Sequence, residues 1–165
     1  MRVSNNCINL IVKFESLHDG DLSKIGLQPK LDPVGIWTEG YGRAMRDKKG
    51  KFIKGKENKE LAYSLISIHT KEDAMSALKT DLKPREEIVA QNVRVPLSQN
   101  QFDALVSYIY NTGGSQTLYN LINKKAGDVA IRNWMETKYI TGSGSKKPLP
   151  GLIKRRKAEA DLFFS

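Results

Sequence analysis

The apolar positions of this chain recur mostly at helical spacing. Ile8, Ile11 and Val12 share one face of a first helix, which Ser4 can N-cap and which runs to about Ser16, with Gly20 beyond it as punctuation. Glu15 follows Ile8 by seven residues, Ile11 by four and Val12 by three. It therefore projects from the same apolar stripe at the C-terminal end of the helix, an unusual place for a carboxylate. Residues 17–33 read as a polar loop with Gly20, Gly26, Pro29 and Pro33. From Val34 to Tyr41 the pattern changes: Ile36, Trp37, Thr38 and Tyr41 favour strand, punctuated by Gly35, Gly40 and Gly42. Asp47 to Gly50 is a turn signal, and Lys51 to Lys54 reads as a short returning strand, which makes a small antiparallel sheet.

From residue 57 onward the period is helical again. Leu61, Leu65 and Ile68 follow one face, and Thr70-Lys71-Glu72-Asp73 opens a helix carrying Ala74, Ala77, Leu78 and Leu82. Pro84 suits the first turn of a separate helix over Arg85 to Asn92. Ser98 to Gln101 is a capping box before Phe102, Leu105, Val106 and Ile109, in a helix ending near Asn111 ahead of Gly113-Gly114. Leu118 and Ile122 mark another helix closed by Gly127, and Ala130 with Trp134 one more. Residues 142–148 read as a flexible loop, and the last helix carries Leu152, Ile153, Leu162, Phe163 and Phe164.

Composition adds limits. The 165 residues predict one domain, and 39% hydrophobic residues with 13 Gly make an ordinary globular balance. A single cysteine, Cys7, excludes an intramolecular disulfide framework and a cysteine-rich zinc site. No cofactor and no metal is expected: His18 and His69 are isolated, and the Asp19-Gly20-Asp21 start of a calcium-type loop continues with Lys24 and Lys30 where Gly and Glu are needed. Thr141 to Ser145 is not a nucleophile elbow. The longest apolar stretch, Ile8 to Val12, is far too short to span a bilayer, and no signal-peptide cleavage site follows it. The expectation is a protein made in a cytoplasm and starting near Met1. The net charge of +9 points to an anionic partner. Lys154-Arg155-Arg156-Lys157 reads as a solvated face of the last helix, balanced by Glu159 and Asp161, rather than as a nucleic-acid site.

Carboxylates carry the remaining chemistry. Glycoside hydrolysis needs one carboxylic acid to protonate the leaving oxygen and a second carboxylate to activate water or stabilise the sugar cation. Burial on an apolar stripe would keep Glu15 protonated. Asp32 stands just before the glycine-punctuated strand, with the Thr38 hydroxyl six residues further on to position water. By spacing alone these residues read more readily as a partly buried ion pair, a turn residue before Pro33 and an ordinary strand residue.

A wider resemblance changes that balance. Phe14-Glu15-Ser16, then Asp32-Pro33-Val34-Gly35-Ile36-Trp37-Thr38-Glu39-Gly40-Tyr41-Gly42, resembles the phage-type lysozymes, or endolysins, in which a Glu ends helix one and an Asp precedes a Thr by six residues within a T-x-G-x-G hairpin. Val95 to Ser107 resembles the family's central core helix. Tyr110-Asn111-Thr112-Gly113 resembles its aromatic-Asn-x-Gly element, and Pro150 to Glu159 its closing G-L-x-x-R-R-x-x-E helix. The blocks come in family order over about residues 8 to 164.

The resemblance implies an α+β, mostly helical, lysozyme-like fold in one domain over 1–165. A small hairpin lobe would cover about 15–60 and a helical lobe 1–14 and 70–165, flanking a substrate cleft. It implies hydrolysis of the β-1,4 bond between N-acetylmuramic acid and N-acetylglucosamine in peptidoglycan. Glu15 would be the general acid, Asp32 would activate water, and Thr38 would assist on the same face. Tyr110 and Thr117 would contact substrate, and Arg155 or Arg156 would approach Glu15 and favour its ionised form. Implied partners are peptidoglycan glycan strands and the anionic cell envelope. No nucleic acid and no transmembrane segment is implied, and the protein would be a monomer that waits in the host cytoplasm for holin-dependent release.

Departures from the family matter too. The family usually has about eight residues between its Glu and Asp; here sixteen intervene, and the extra ones fit as a loop in 17–31 because loop insertions cost little. Asp19 or Asp21 is the alternative second carboxylate, but only Asp32 keeps the spacing to Thr38. Glu39 stands where relatives commonly have a small apolar residue and reads as an outward-facing hairpin side chain; Arg43 stands where they commonly have His. A lytic transglycosylase working with Glu15 alone, and a non-catalytic wall- or nucleic-acid-binding protein on the same scaffold, remain open at this point.

Overall fold

The structure is a computed structural model that describes residues 1–142 and 146–165. Seven helices and a three-stranded sheet are present among the described residues. In chain order they are α1 (Asn5–Phe14), β1 (Lys30–Leu31), β2 (Trp37–Glu39), β3 (Arg43–Ala44), α2 (Lys59–Ser64, preceded by a 3₁₀ turn over Lys56–Asn58), α3 (Lys71–Asn92), α4 (Gln99–Thr112), α5 (Gln116–Asn123), α6 (Asp128–Thr137) and α7 (Pro150–Phe163). This is the α+β, mostly helical class that the sequence implies. The chain divides into two compact units, one of Glu15–Asp81 and one of Met1–Phe14 with Leu82–Ser165.

In the second unit, α4 is the central element and packs against α1 and α7. Its residues from Phe102 to Ile109 are all buried. The capping box forms as its sequence requires: the Ser98 hydroxyl accepts from Gln101 N–H at 3.1 Å, and the Gln101 side chain accepts from Ser98 N–H at 2.9 Å. The helix stops at Gly113, which takes φ 80° and returns its N–H to Ile109 O. On α1, Ser4 does cap: its hydroxyl accepts from Asn6 N–H at 3.1 Å. The helix ends at Phe14 rather than Ser16, which leaves Glu15 as the first residue beyond it.

Two expectations change here. Arg155 and Arg156 are buried rather than solvated; they flank the fully buried Glu159 at 3.1 and 3.3 Å, and only Lys154 and Lys157 of the basic cluster face water. Ser107 on α4 donates to the same carboxylate at 2.8 Å, and Asn111 accepts from Arg156 at 2.7 Å. Burial pushes the Glu159 carboxyl up, and the two guanidiniums oppose it. Pro84 does not start a new helix; α3 runs through it. Pro84 and Thr80 are both exposed, so the carbonyl that loses its N–H partner lies on the water side, where the loss costs least. The loop Gly142 to Pro148 falls partly outside the described residues.

The first unit has its own core of Trp37, Met45, Ile53 and Ala62, with Leu31, Tyr63 and Leu65 against it. Trp37 N–H and Met45 N–H are bonded to Ile53 O and Trp37 O, and the indole N–H donates to Gly55 O at 2.8 Å. β2 pairs antiparallel with β1 (Lys30 opposite Thr38) and with β3 (Thr38 opposite Ala44). The 17–33 segment therefore contains a strand where its composition predicts only loop. Lys51 to Lys54 makes only isolated bridges, Phe52 to Arg46 and Lys54 to Ile36. The helix begun at Lys59 stops at Ser64, short of the Ile68 that its spacing suggested. Thr70 and Asp73 do cap α3: the Thr70 hydroxyl accepts from Asp73 N–H, and the Asp73 carboxylate accepts from His69 and Thr70 N–H.

Two stability predictions arise from these contacts. The His69 and Thr70 hydrogen bonds hold the Asp73 carboxyl below its ordinary value. A lowered carboxyl stabilises the fold above the unfolded value near 4 and loses that contribution as pH falls through the folded value. Asp73→Asn is expected to melt below the parent at pH 7, with the gap narrowing as pH falls below about 4, as read by thermal circular dichroism. Glu159→Ala strands two buried guanidiniums and is expected to cost about 3–5 kcal/mol in urea unfolding. Exposed Lys157→Ala, which loses only its pair with Asp161, should cost at most about 1 kcal/mol.

Candidate active site

The three residues singled out for chemistry, Glu15, Asp32 and Thr38, all fall in the unit Glu15–Asp81. Glu15 is half-buried at the exit of α1. Gly42 faces it closely: φ is 86°, and a Cβ added there would lie 3.4 Å from Glu15 Oε2. Only glycine takes that φ without strain.

Asp32 closes the turn between β1 and β2. Its Oδ1 accepts from Val34 N–H at 2.9 Å and Ile36 N–H at 2.7 Å, while its own N–H donates to Ile36 O. This is the Asx-turn chemistry that makes Asp favourable before Pro33. It fixes the carboxylate plane and leaves Oδ2 without a protein partner among the described residues. Thr38 is buried on β2, and its hydroxyl donates to Lys30 O at 3.0 Å across the sheet. With the proton so committed, Oγ1 has only lone pairs to offer, so it can accept from a water but not donate to one.

Two neighbours hold this frame. Glu39 is buried, not outward-facing. Its carboxylate accepts from Ser67 N–H at 2.9 Å and Ile68 N–H at 3.1 Å, and from the Ser67 hydroxyl in a short bond. These bonds take the Ser67 and Ile68 N–H groups, which find their partner in Glu39 rather than in another helical turn. The signal was present in the sequence, since Glu39 lies on the same strand face as Trp37 and Tyr41 at period two. Arg43 forks onto Asp81 with two bonds of 2.9 Å and reaches Ala77 O at 3.0 Å, which ties β3 to α3.

His18, isolated in the sequence, lies in this unit as well. Its backbone N–H donates to Gly40 O at 2.8 Å, and its imidazole feels both Glu15 and Asp32. Burial and the Lys30 charge nevertheless lower its pKa. Asp19 and Asp21 are occupied with their own loop: Asp19 accepts from Asp21 and Gln28 N–H, and Asp21 from Ser23. Tyr110 and Thr117 belong to the other unit, Tyr110 half-buried on α4 with the Arg85 guanidinium 5.7 Å from its ring centroid, and Thr117 exposed in the first turn of α5. Arg155 stands over the Phe14 ring at 6.0 Å in addition to its pairing with Glu159. Among the described residues no cluster of His, Cys, Asp or Glu could hold a metal ion, and no helix is long and apolar enough to cross a membrane.

Known proteins resemble this chain over its whole length. An endolysin of Salmonella phage P22 is 38% identical over 172 aligned positions that cover 100% of this chain and 99% of the relative. An endolysin of Acyrthosiphon pisum secondary endosymbiont phage 1 is 31% identical, again over 100% of this chain and 99% of its own. The solved muramidase domain of SpmX from Asticaccaulis excentricus superposes with a TM-score of 0.71 at 28% identity, covering 99% of this chain and 98% of that one. The family described as phage lysozyme matches residues 23–159, a stretch that holds Asp32 and Thr38 and begins after Glu15. The chain belongs to the phage lysozyme family.

Proposed function

We propose that Glu15, Asp32 and Thr38 carry out hydrolysis of the β-1,4 bond between N-acetylmuramic acid and N-acetylglucosamine. As a phage lysozyme the protein is a peptidoglycan-hydrolysing glycoside hydrolase of the endolysin type. The observation that supports this division of roles is the asymmetry of Asp32: one oxygen is held by two backbone N–H groups and the other is open. In this reading the Glu15 carboxylic acid protonates the glycosidic oxygen as the C–O bond breaks. A water held between Asp32 Oδ2 and the Thr38 Oγ1 lone pairs adds to the sugar carbon and gives up its proton to Asp32. The Thr38 hydroxyl suits that role because its own proton is already used on Lys30 O.

Tyr110 and Thr117 are assigned as substrate contacts on the helical unit. The surplus of 27 Lys+Arg over 18 Asp+Glu draws the protein to the anionic envelope rather than to nucleic acid. We assign a monomer that stays in the host cytoplasm until a holin opens the membrane, and whose action there ends in lysis.

Three measurements test the reading. Glu15→Gln and Asp32→Asn are each expected to lower the rate of muropeptide release from purified peptidoglycan by about 10²–10⁴-fold while sedimentation with the wall persists. Mass spectrometry of the products is expected to show reducing N-acetylmuramic acid ends. Dominant 1,6-anhydro ends would instead make the enzyme a lytic transglycosylase, and wall binding with no release by the parent would make it a wall-binding protein. Clearing of whole envelopes should weaken as salt rises through about 0.1–0.5 M, and hydrolysis of short neutral glycans should change far less.

A further inference from the structure

A dense run of exposed cations lies in the unit Glu15–Asp81, on the hairpin that follows β3. Residues 46–56 hold Arg46, Lys48, Lys49, Lys51, Lys54 and Lys56 against one carboxylate, Asp47, which is five of the chain's nine surplus positive charges. All six cations are exposed, and none has an ion-pair partner among the described residues. Asp47 is committed to the turn: its Oδ1 accepts from Lys49 and Lys51 N–H at 2.8 and 2.9 Å, which fixes the backbone that presents the lysines. Beneath the turn, Ile53 is buried in the unit's core and donates its N–H to Met45 O at 3.0 Å. The alternation along the segment then turns Phe52 outward, where it stays 41% exposed. The Arg46 guanidinium lies 3.8 Å from the centroid of that ring and donates to Gly50 O at 2.7 Å.

The chemistry of the patch selects among anionic partners. A pocket for one phosphate favours the fixed fork of arginine, and the one arginine here is committed to Phe52 and Gly50 O. The other five cations are lysines, point charges on flexible stems that suit a diffuse anionic surface. Nucleic acid bound without sequence preference needs open aromatic faces for its bases. Phe52 carries Arg46 on its ring, and Tyr63 of α2 carries Lys24 and Lys59 over its ring at 4.6 and 5.3 Å. An anionic bilayer uses both features of the hairpin at once: lysines reach the headgroup layer, and an exposed aromatic ring among them enters the interface.

We propose that the hairpin over residues 46–56 docks the protein on an anionic phospholipid surface, with its five lysines against the headgroup phosphates and Phe52 at the interface. This places a second binding surface in the unit, separate from the Glu15, Asp32 and Thr38 chemistry.

Sedimentation of the full chain with vesicles tests the assignment. The protein is expected to bind vesicles of equal parts phosphatidylglycerol and phosphatidylcholine, and not those of phosphatidylcholine alone. Lys48→Gln, Lys49→Gln and Lys51→Gln together should weaken that binding about 100-fold, at about fivefold for each lysine near the surface. This triple variant should melt with the parent and release muropeptides from purified peptidoglycan at the parental rate. Lys154→Gln with Lys157→Gln, which removes two exposed charges of α7, should leave vesicle binding within about twofold of the parent. The emission of Phe52→Trp should shift to the blue on the phosphatidylglycerol vesicles, relative to a parent with two tryptophans of its own. Absence of binding to those vesicles overturns the proposal outright. Binding that survives the triple change, or that falls as far with the Lys154 and Lys157 pair, makes net charge the cause and overturns the hairpin. An unmoved emission on bound protein overturns the bilayer as the partner. So does a triple variant that melts with the parent but loses muropeptide release, which moves the surface to the wall. Binding to a single-stranded oligonucleotide at a salt concentration that releases the vesicles assigns it to nucleic acid instead.

Discussion

The register of β1 against β2 is the constraint on which the site depends. Lys30 opposite Thr38 and Leu31 opposite Trp37 put the indole in the core, the Thr38 hydroxyl on Lys30 O, and Asp32 at the head of the turn between the strands. A slip of one residue would turn every side chain to the other face. Trp37 would leave its bond to Gly55 O, and Thr38 would lose its acceptor. With only two residues in β1, the ladder alone cannot fix that register. It is fixed from both ends: by the Asp32 side chain, which ties Val34 and Ile36 into the turn, and by the Glu39 carboxylate, which ties β2 to Ser67 and Ile68. Buried polar groups therefore do here what strand length does in larger sheets.

How much of this was legible in the sequence follows from the range of each interaction. The caps at Ser4, Thr70 and Ser98 are local, involve residues two to four apart, and stand where the sequence puts them. The Asp32-to-Thr38 spacing is equally local, because a turn and two short strands leave little freedom. Glu39 and Ser67 are 28 residues apart, and Arg43 and Asp81 are 38 apart. Partners at that distance decide whether a charged residue is buried, and no window of periodicity contains both. Helix α2 fails at the same place: Leu61, Leu65 and Ile68 fit a helical stripe, yet the Ile68 N–H goes to Glu39. At Pro84 the error ran the other way. A local rule predicted a break, but the missing N–H falls on an exposed face and packing on either side carries the helix through.

Charge shows the same division. A net +9 reads as a uniform basic surface, but Arg155 and Arg156 contribute nothing to that surface. They and Glu159 form a buried triad joined to Ser107 and Asn111 of α4, so the charge that looked most like an anion-binding patch is spent inside the fold. Replacing such a triad with well-packed apolar residues is often neutral or stabilising, whereas removing one member is not. Its retention is better understood as fixing how α7 lies on α4 than as a source of net stability. The exposed part of the basic cluster is then Lys154 and Lys157 alone.

The site itself is economical in what it asks of each side chain. The two N–H groups on Asp32 Oδ1 fix its carboxylate in advance, which is the preorganisation that the proposed base would need. Gly42 supplies the positive φ of 86° at the turn facing Glu15, which a side chain would strain. Arg43 holds the strand that follows Gly42 through its fork onto Asp81 and its bond to Ala77 O. The titrating partner in the unit is His18, set by burial and Lys30 toward the neutral form. A cation at that point would stabilise the ionised state of both Glu15 and Asp32, which suits a base and handicaps an acid. With burial and Lys30 lowering its pKa, the imidazole adds little positive charge beside either carboxylate.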